Sequence, residues 1–231
     1  MKTKARMAIR LETFSLELLD SLYYNSLLDS GASGTALTVP WIGDLALMYA
    51  VSKSLGIGNL SRKLGHTPHY EEVADLPFVT SVGHSMSNVK MLPIYDFSTS
   101  FISEGYMNDQ AFEDTKNAPF RNWIRKQGIA PGNVFYFSVA YRDSFSLPDA
   151  FTIRLGNMRS CLARVLRLAR VPDQYDVWGN LYTASLISRK WNGDRMHVLP
   201  EGVSRELLSA YYAVIKGLDG RGWLDMVDPY E

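Results

Sequence analysis

Residues 151–170 read FTIRLGNMRSCLARVLRLAR, with five arginines and no acid, in a chain of 231 residues whose 24 basic and 24 acidic side chains cancel. How this stretch folds decides where its cations point. The run up to Leu155 alternates as a half-buried strand does, and Gly156 with Asn157 marks a break. Beyond the break, at 100° per residue, Leu162, Val165, Leu166 and Ala169 gather on one side and Arg159, Arg164, Arg167 and Arg170 on the other. The spacing predicts a strand followed by an amphipathic helix. A helix start after a glycine leaves backbone N–H groups bare beside Arg159, which suits a phosphate. No acid stands four residues away to compensate the arginines. The plain alternative is a surface helix with a solvated cationic face.

Working outward, NVFYFSVAY (133–141) and DAFTIRLG (149–156) are strand-like runs separated by a polar, proline-containing turn. Before them, residues 103–133 read as an insertion with short helical pieces. One of these, FRNWIRKQG, sets Arg121, Arg125 and Lys126 around Trp123, a mixture that single-stranded nucleic-acid readers use for stacking and backbone neutralisation. An amphipathic turn with Trp123 in the core is the other reading. The stretch NVKMLPIYDFSTSFI is β-rich, but Pro93 argues for an edge strand or a bulge. Residues 57–80 mix glycine, proline and charge as a long irregular connection.

At the start, Met7, Ile9 and Leu11 alternate, then the apolar phase changes to Phe14, Leu16 and Leu18, which predicts a strand with a bulge. Pro40 suits a first helical turn, Trp41, Leu45, Met48 and Leu55 recur at helical spacing, and Gly56 stops the helix. The tail adds VWGNLYTASLIS, a turn at WNGDR and a helix candidate, SRELLSAYYAVIKG. Irregularly alternating strands and helices, with hairpins among them, predict one α+β domain over 1–231 on an antiparallel sheet, with insertions at about 57–80 and 103–133.

Composition, 46% hydrophobic and 21% charged, is that of an ordinary folded protein, and zero net charge supplies no global attraction for polyanions. Any polyanion site is therefore a local patch. Cys161 is the only cysteine, which excludes an intramolecular disulfide and a cysteine zinc site and fits a reducing, cytoplasmic setting. The N-terminus has no continuous apolar leader, and VPWIGDLALMYAV is broken by Asp44 and too short for a bilayer, so a soluble protein without a membrane partner is expected. His66 and His69 flank Pro68 and lack a third ligand, so no metal is expected. His84 lies among serines without a defined nucleophile, and Gly56-Ile57-Gly58 lacks the spacing of a dinucleotide loop. No enzyme class and no cofactor emerge.

Taken in order, RLETFSLELLDSLYYNS, IGDLALMYAVSKSLGI, FTIRLGNMRSCLARV and HVLPEGVSRELLSAYYAV resemble the type I-D CRISPR-associated RAMP subunits, the Cas-five-like proteins also called Csc-one. The most specific piece is IRLGNMRSCLARV, which is similar to the family's arginine-leucine-glycine strand end and following helix. The resemblance implies a ferredoxin-like (RRM/RAMP) sheet backed by helices, with thumb-like insertions. It implies a non-catalytic, RNA-binding subunit of the Cascade ribonucleoprotein complex in antiviral defence, capping the 5′ handle of the crRNA. The implied partners are the crRNA, a CRISPR backbone subunit and a CRISPR large subunit; contact with target DNA near the protospacer-adjacent motif stays open. Residue by residue, the match points to Arg154, Gly156, Asn157 and Arg159 with Arg164 as neighbour, and to Arg121, Arg125 and Lys126 in the insertion. The alternative is a metal-independent endoribonuclease using His66, His69 or His84 with Tyr95 as acid and base. A generic RNA-recognition protein is the third reading, but the aromatic signature of that motif is absent.

Overall fold

The computed structural model describes residues 10–23, 27–28, 36–58, 60, 70–99, 122–141, 145–156, 159–191 and 214–227. In chain order these contain β1 (Arg10–Leu18), β2 (Leu27–Leu28), β3 (Ala36–Leu37), β4 (Trp41–Ile42), α1 (Asp44–Leu55), a 3-10 helix (Tyr70–Asp75), β5 (Phe78–Thr80) and β6 (Gly83–His84). They continue with β7 (Tyr95–Thr99), β8 (Asn122–Gln127), β9 (Val134–Tyr141), β10 (Ala150–Leu155), β11 (Cys161–Arg167), β12 (Val177–Asn180), α2 (Leu181–Trp191), β13 (Val214–Leu218) and α3 (Gly220–Val227).

Strand β1 runs antiparallel to β9 on one side and to β11 on the other. The resulting curled antiparallel sheet has the order β10-β11-β1-β9-β6-β4, with β5 also on β9. The alternation expected of these runs is what buries their apolar sides: Phe14, Leu16 and Leu18 from β1, Phe135, Phe137 and Val139 from β9, and Ile153 and Leu155 from β10. Phe14 stacks on its cross-strand partner Phe137 with ring centroids 5.7 Å apart. A second sheet, β2-β3-β8-β7, and the two-stranded sheet β12-β13 lie outside this ladder. Pro93 lies before β7, which begins at Tyr95, and among the described residues β7 is the end strand of that second sheet.

Three expectations are corrected. The β1–β9 register is continuous from Arg10 opposite Tyr141 to Glu17 opposite Val134, so β1 has no bulge. The phase change arises because Leu11 belongs to the second face, where its side chain approaches Gly220 at the start of α3. Within FRNWIRKQG, Asn122–Gln127 is a strand paired with β7 and β3 rather than a helical piece. In SRELLSAYYAVIKG, residues 204–213 lie outside the described residues, and Val214–Leu218 is strand β13, with Gly217 at φ 76.

The largest correction concerns the opening stretch. Cys161–Arg167 is a strand, so residues 151–167 form a hairpin rather than a strand and a helix. Period two also fits the sequence: Cys161, Ala163 and Val165 are buried, while Arg164 between the last two and Leu166 after them are exposed. The helical reading made Leu162 and Leu166 core residues; both lie on the face opposite the core. Partner strands on both sides satisfy the backbone groups of β11 and override its helical periodicity.

Helix α1 ends as expected, with Gly56 in the left-handed region at φ 67, but it begins at Asp44, because Trp41–Ile42 pairs with β6. Asp44 is buried. Its Oδ1 accepts from the Leu45 amide at 2.9 Å and from Asn180 Nδ2 at 3.0 Å, which ties the start of α1 to the end of β12. Burial pushes its pKa from 3.8 up to about 6. The folded state therefore binds this proton more tightly than the unfolded chain does. Asp44 should cost nothing below about pH 4, and its cost should grow as pH rises to about 6, reaching on the order of 3 kcal/mol above that. An asparagine side chain in its place would keep the same acceptor oxygen without the charge. Asp44→Asn should thus be at least as stable as the parent at pH 7, with the advantage vanishing toward pH 4, as read from urea midpoints across that range.

Candidate nucleic-acid interface

The strands and α1 bring one side of the helix against the outer end of the sheet. There Tyr49, Lys53 and Ser54 of α1 line a cleft of about 590 Å3 together with Thr152, Arg154 and Arg159. Among the described residues β10 is the last strand in the sheet, so Arg154 stands at an edge. Lys53, from the last turn of α1, donates to the Leu60 carbonyl at 2.7 Å and lines the same cleft. Among the described residues, no acid lines it.

The turn joining β10 to β11 places Arg159. Gly156 has φ 79, and a Cβ there would sit 2.7 Å from the Tyr23 carbonyl oxygen, so both the conformation and the packing require glycine. Arg159 itself is at φ 54, and its N–H donates to the Gly156 carbonyl at 3.0 Å. That N–H is not bare, and Cys161–Arg167 beyond it is a strand, which corrects the helix-terminus reading. What the turn provides is a second arginine lining the same cleft as Arg154.

The remaining arginines are accounted for differently. Arg164 lies directly opposite Glu17 on β1 and forms an ion pair with it. Arg167 is drawn to the core side, with Glu12 at 2.7 Å, Asp149 at 3.1 Å and the Leu147 carbonyl as partners. Its guanidinium carbon sits 5.6 Å from the centre of the Phe14 ring. Arg170 pairs with Asp173 at 3.3 Å. Arg164 and Arg167 are thus paired by acids distant in the chain, and Arg170 by an acid three residues on. Among the described residues, Arg154 and Arg159 have no ion-pair partner.

Of the other expected site residues, Arg125 and Lys126 lie on β8, in the second sheet, in register with Asp96 and Tyr95. Arg121 and Asn157 lie outside the described residues, as do His66 and His69. Tyr95 is the first residue of β7, while His84 is 3% exposed in β6, its Nε2 2.7 Å from the Asp176 carbonyl oxygen. Burial pushes the Cys161 thiol up to about 11, which keeps it from acting as a nucleophile at neutral pH. Among the described residues no group of three metal-ligating side chains gathers, and no helix is long and apolar enough to cross a membrane. Lys53 is the member of the cleft that sequence reading missed, because a lone lysine near a helix end carries no signal of what packs across from it.

The family model described as Type I-D CRISPR-associated protein Cas5/Csc1 matches residues 9–179, which span β1 through most of β12 and include every residue lining the cleft. No curated protein matches the chain.

The turn makes a direct prediction. Gly156→Ala should lower stability by more than about 1 kcal/mol, since it meets both a left-handed backbone and a carbonyl oxygen. Gly132, at φ 78 with nothing within 4 Å of a Cβ, is the control: Gly132→Ala should show the smaller loss in thermal denaturation.

Proposed function

Because the chain belongs to the type I-D CRISPR-associated Cas5/Csc1 family, and is thereby a type I-D CRISPR effector subunit, we propose that it holds the 5′ handle of the crRNA in that complex without cutting it. The observation that carries this reading is the cleft that Lys53, Arg154 and Arg159 line, with no acid among its described residues, while Arg164, Arg167 and Arg170 are each paired with acids. A backbone phosphate supplies the negative charge that such a cleft lacks, and guanidinium groups bind phosphate oxygens in pairs. The handle lies against the β10 edge and the turn at Gly156, and α1 closes the other side.

The sheet order supports a ferredoxin-like (RRM/RAMP) core. Strand β1 lies between β9 and β11, α1 follows β1, and β5 joins the far side of β9. Between β9 and β11 that architecture has a second helix; here β10 takes its place as the edge strand that lines the cleft. In this reading the second sheet, with Arg125 and Lys126 on β8, is the thumb-like extension, and backbone and large subunits flank the bound RNA.

The non-catalytic part of the proposal rests on His84, whose ring is packed away from solvent and committed to the Asp176 carbonyl. Repeat-containing RNA incubated with the protein in EDTA should stay intact; fragments with defined ends would replace this reading with ribonuclease activity. For binding, engagement of about three cations gives a log-log salt slope of about −2 at the single-strand coefficient of about 0.7 per contact. In anisotropy titrations with handle RNA, Arg154→Gln and Arg159→Gln should each weaken binding and flatten that slope by about 0.7. Arg164→Gln should leave both unchanged, because its charge is matched by Glu17. An equal loss from Arg164→Gln would defeat the assignment of the cleft.

A further inference from the structure

At the opposite end of the sheet from the cleft, β4, β6, β12 and β13 bring together a group of aromatic rings. His84 stacks with Trp178, ring centroids 4.4 Å apart and planes 9° from parallel, and with Tyr175 at 5.4 Å and 2°. Trp41, in register with His84 across β4 and β6, meets Trp178 edge-on at 6.2 Å. Asp176 holds the group rigid. Its Oδ2 accepts from Trp178 Nε1 and from the Gly217 amide, both at 2.9 Å, and its carbonyl oxygen lies 2.7 Å from His84 Nε2.

Over this fixed stack lies one exposed, long-stemmed cation. Lys216 Nζ is 4.5 Å from the centre of the Trp178 ring and 5.4 Å from that of Trp41. Among the described residues it has no carboxylate partner, since the Asp176 carboxylate is turned to Trp178 and Gly217. A cation–π contact at a solvent-exposed site is worth only about 0.5–1 kcal/mol, so the ammonium is easily displaced. A planar base that displaced it would extend the stack of His84 and Trp178, and the ammonium would remain within reach of the adjoining phosphate.

We propose that Trp178, Trp41 and Lys216 form a second contact for single-stranded nucleic acid, separate from the cleft, in which an unpaired base stacks on the indole surface that Lys216 covers and Lys216 moves to the flanking phosphate. The occupant is argued from the pairing of a locked aromatic stack with a displaceable, unpaired cation, the two elements that bind a base and its backbone together. An apolar protein partner would use the rings but leave the Lys216 charge unmatched. The inference does not depend on the cleft, because the two sites stand on opposite ends of the sheet order.

The test uses the full chain carrying Arg154→Gln and Arg159→Gln, which removes the cleft arginines, titrated with oligouridine and with oligodeoxythymidine. Tryptophan fluorescence and anisotropy are followed together. Binding with quenching of tryptophan emission is expected; binding of both oligomers alike assigns recognition to base and phosphate, and a preference for oligouridine adds a 2′-hydroxyl contact. Trp178→Leu should abolish the quenching and weaken binding about tenfold. Lys216→Gln, at an exposed position where folding is not at risk, should flatten the log-log salt slope by about 0.7. Unchanged quenching, affinity and slope in Lys216→Gln and Trp178→Leu would overturn the proposal. So would loss of assembly with other complex subunits in Trp178→Leu while oligomer binding stayed intact, which would make the surface a protein contact. Neither outcome would bear on the cleft, whose own arginine variants are read on handle RNA.

Discussion

The pairing register between β1 and β11 is the constraint on which the rest of this structure depends. With Leu16 opposite Val165 and Leu18 opposite Ala163, the buried sides of both strands face one core. Glu17 then necessarily falls opposite Arg164. A slip of β11 by one residue against β1 would turn Arg164 into that core and Val165 out of it, a change that costs every apolar contact of that strand at once. Packing thereby fixes the charge pattern: the hydrophobic alternation sets the register, and the register decides which arginine meets which acid.

From that register follows the division of the cations. Arg164 and Arg167 are held by β1 carboxylates, and Arg167 also takes Asp149 from the start of the hairpin, so their charge is neutralised inside the fold. Arg154 and Arg159 stand at the far edge of the same hairpin, one strand beyond the reach of β1, and keep their field for the cleft. In the proposed RNA-binding role a neutral protein needs such an arrangement, since attraction would otherwise be spread over its surface or cancelled within it. The tight turn at Gly156 completes it by setting Arg159 on the same cleft as Arg154 rather than leading it away along a helix.

The opposite wall of the cleft is placed by contacts at a distance from it. Asp44 begins α1 and is bound by Asn180 at the end of β12, while Lys53 in the last turn of the same helix reaches the cleft. A buried carboxylate is an unfavourable way to anchor a helix, because burial disfavours its charged form. What it provides is direction: hydrogen bonds to Leu45 and Asn180 hold the helix start in one orientation, where apolar packing alone tolerates sliding. Stability at one end of α1 and cation placement at the other are thus linked through a rigid element.

Much of this was legible along the chain. The alternation in β9 and β10, the glycine stop after Leu55 and an α+β organisation on an antiparallel sheet all come from short-range patterns that strands, helices and turns impose on neighbouring residues. The family is legible too, in the order of those patterns from the first strand onward. Local pattern could not decide residues 161–167, because leucine and arginine there satisfy a period of two and a period of 3.6 together. The choice was made by a partner 147 residues away in the chain, where Glu17 meets Arg164 and β1 supplies the hydrogen bonds that a helix would have made for itself. The same holds for the cleft. Arg154 and Arg159 are visible in the sequence as arginines without nearby acids, but so are their neighbours. That these two stay unpaired, and that Lys53 joins them, depends on which strands and helices lie side by side, and non-local pairing is what a one-dimensional pattern does not carry.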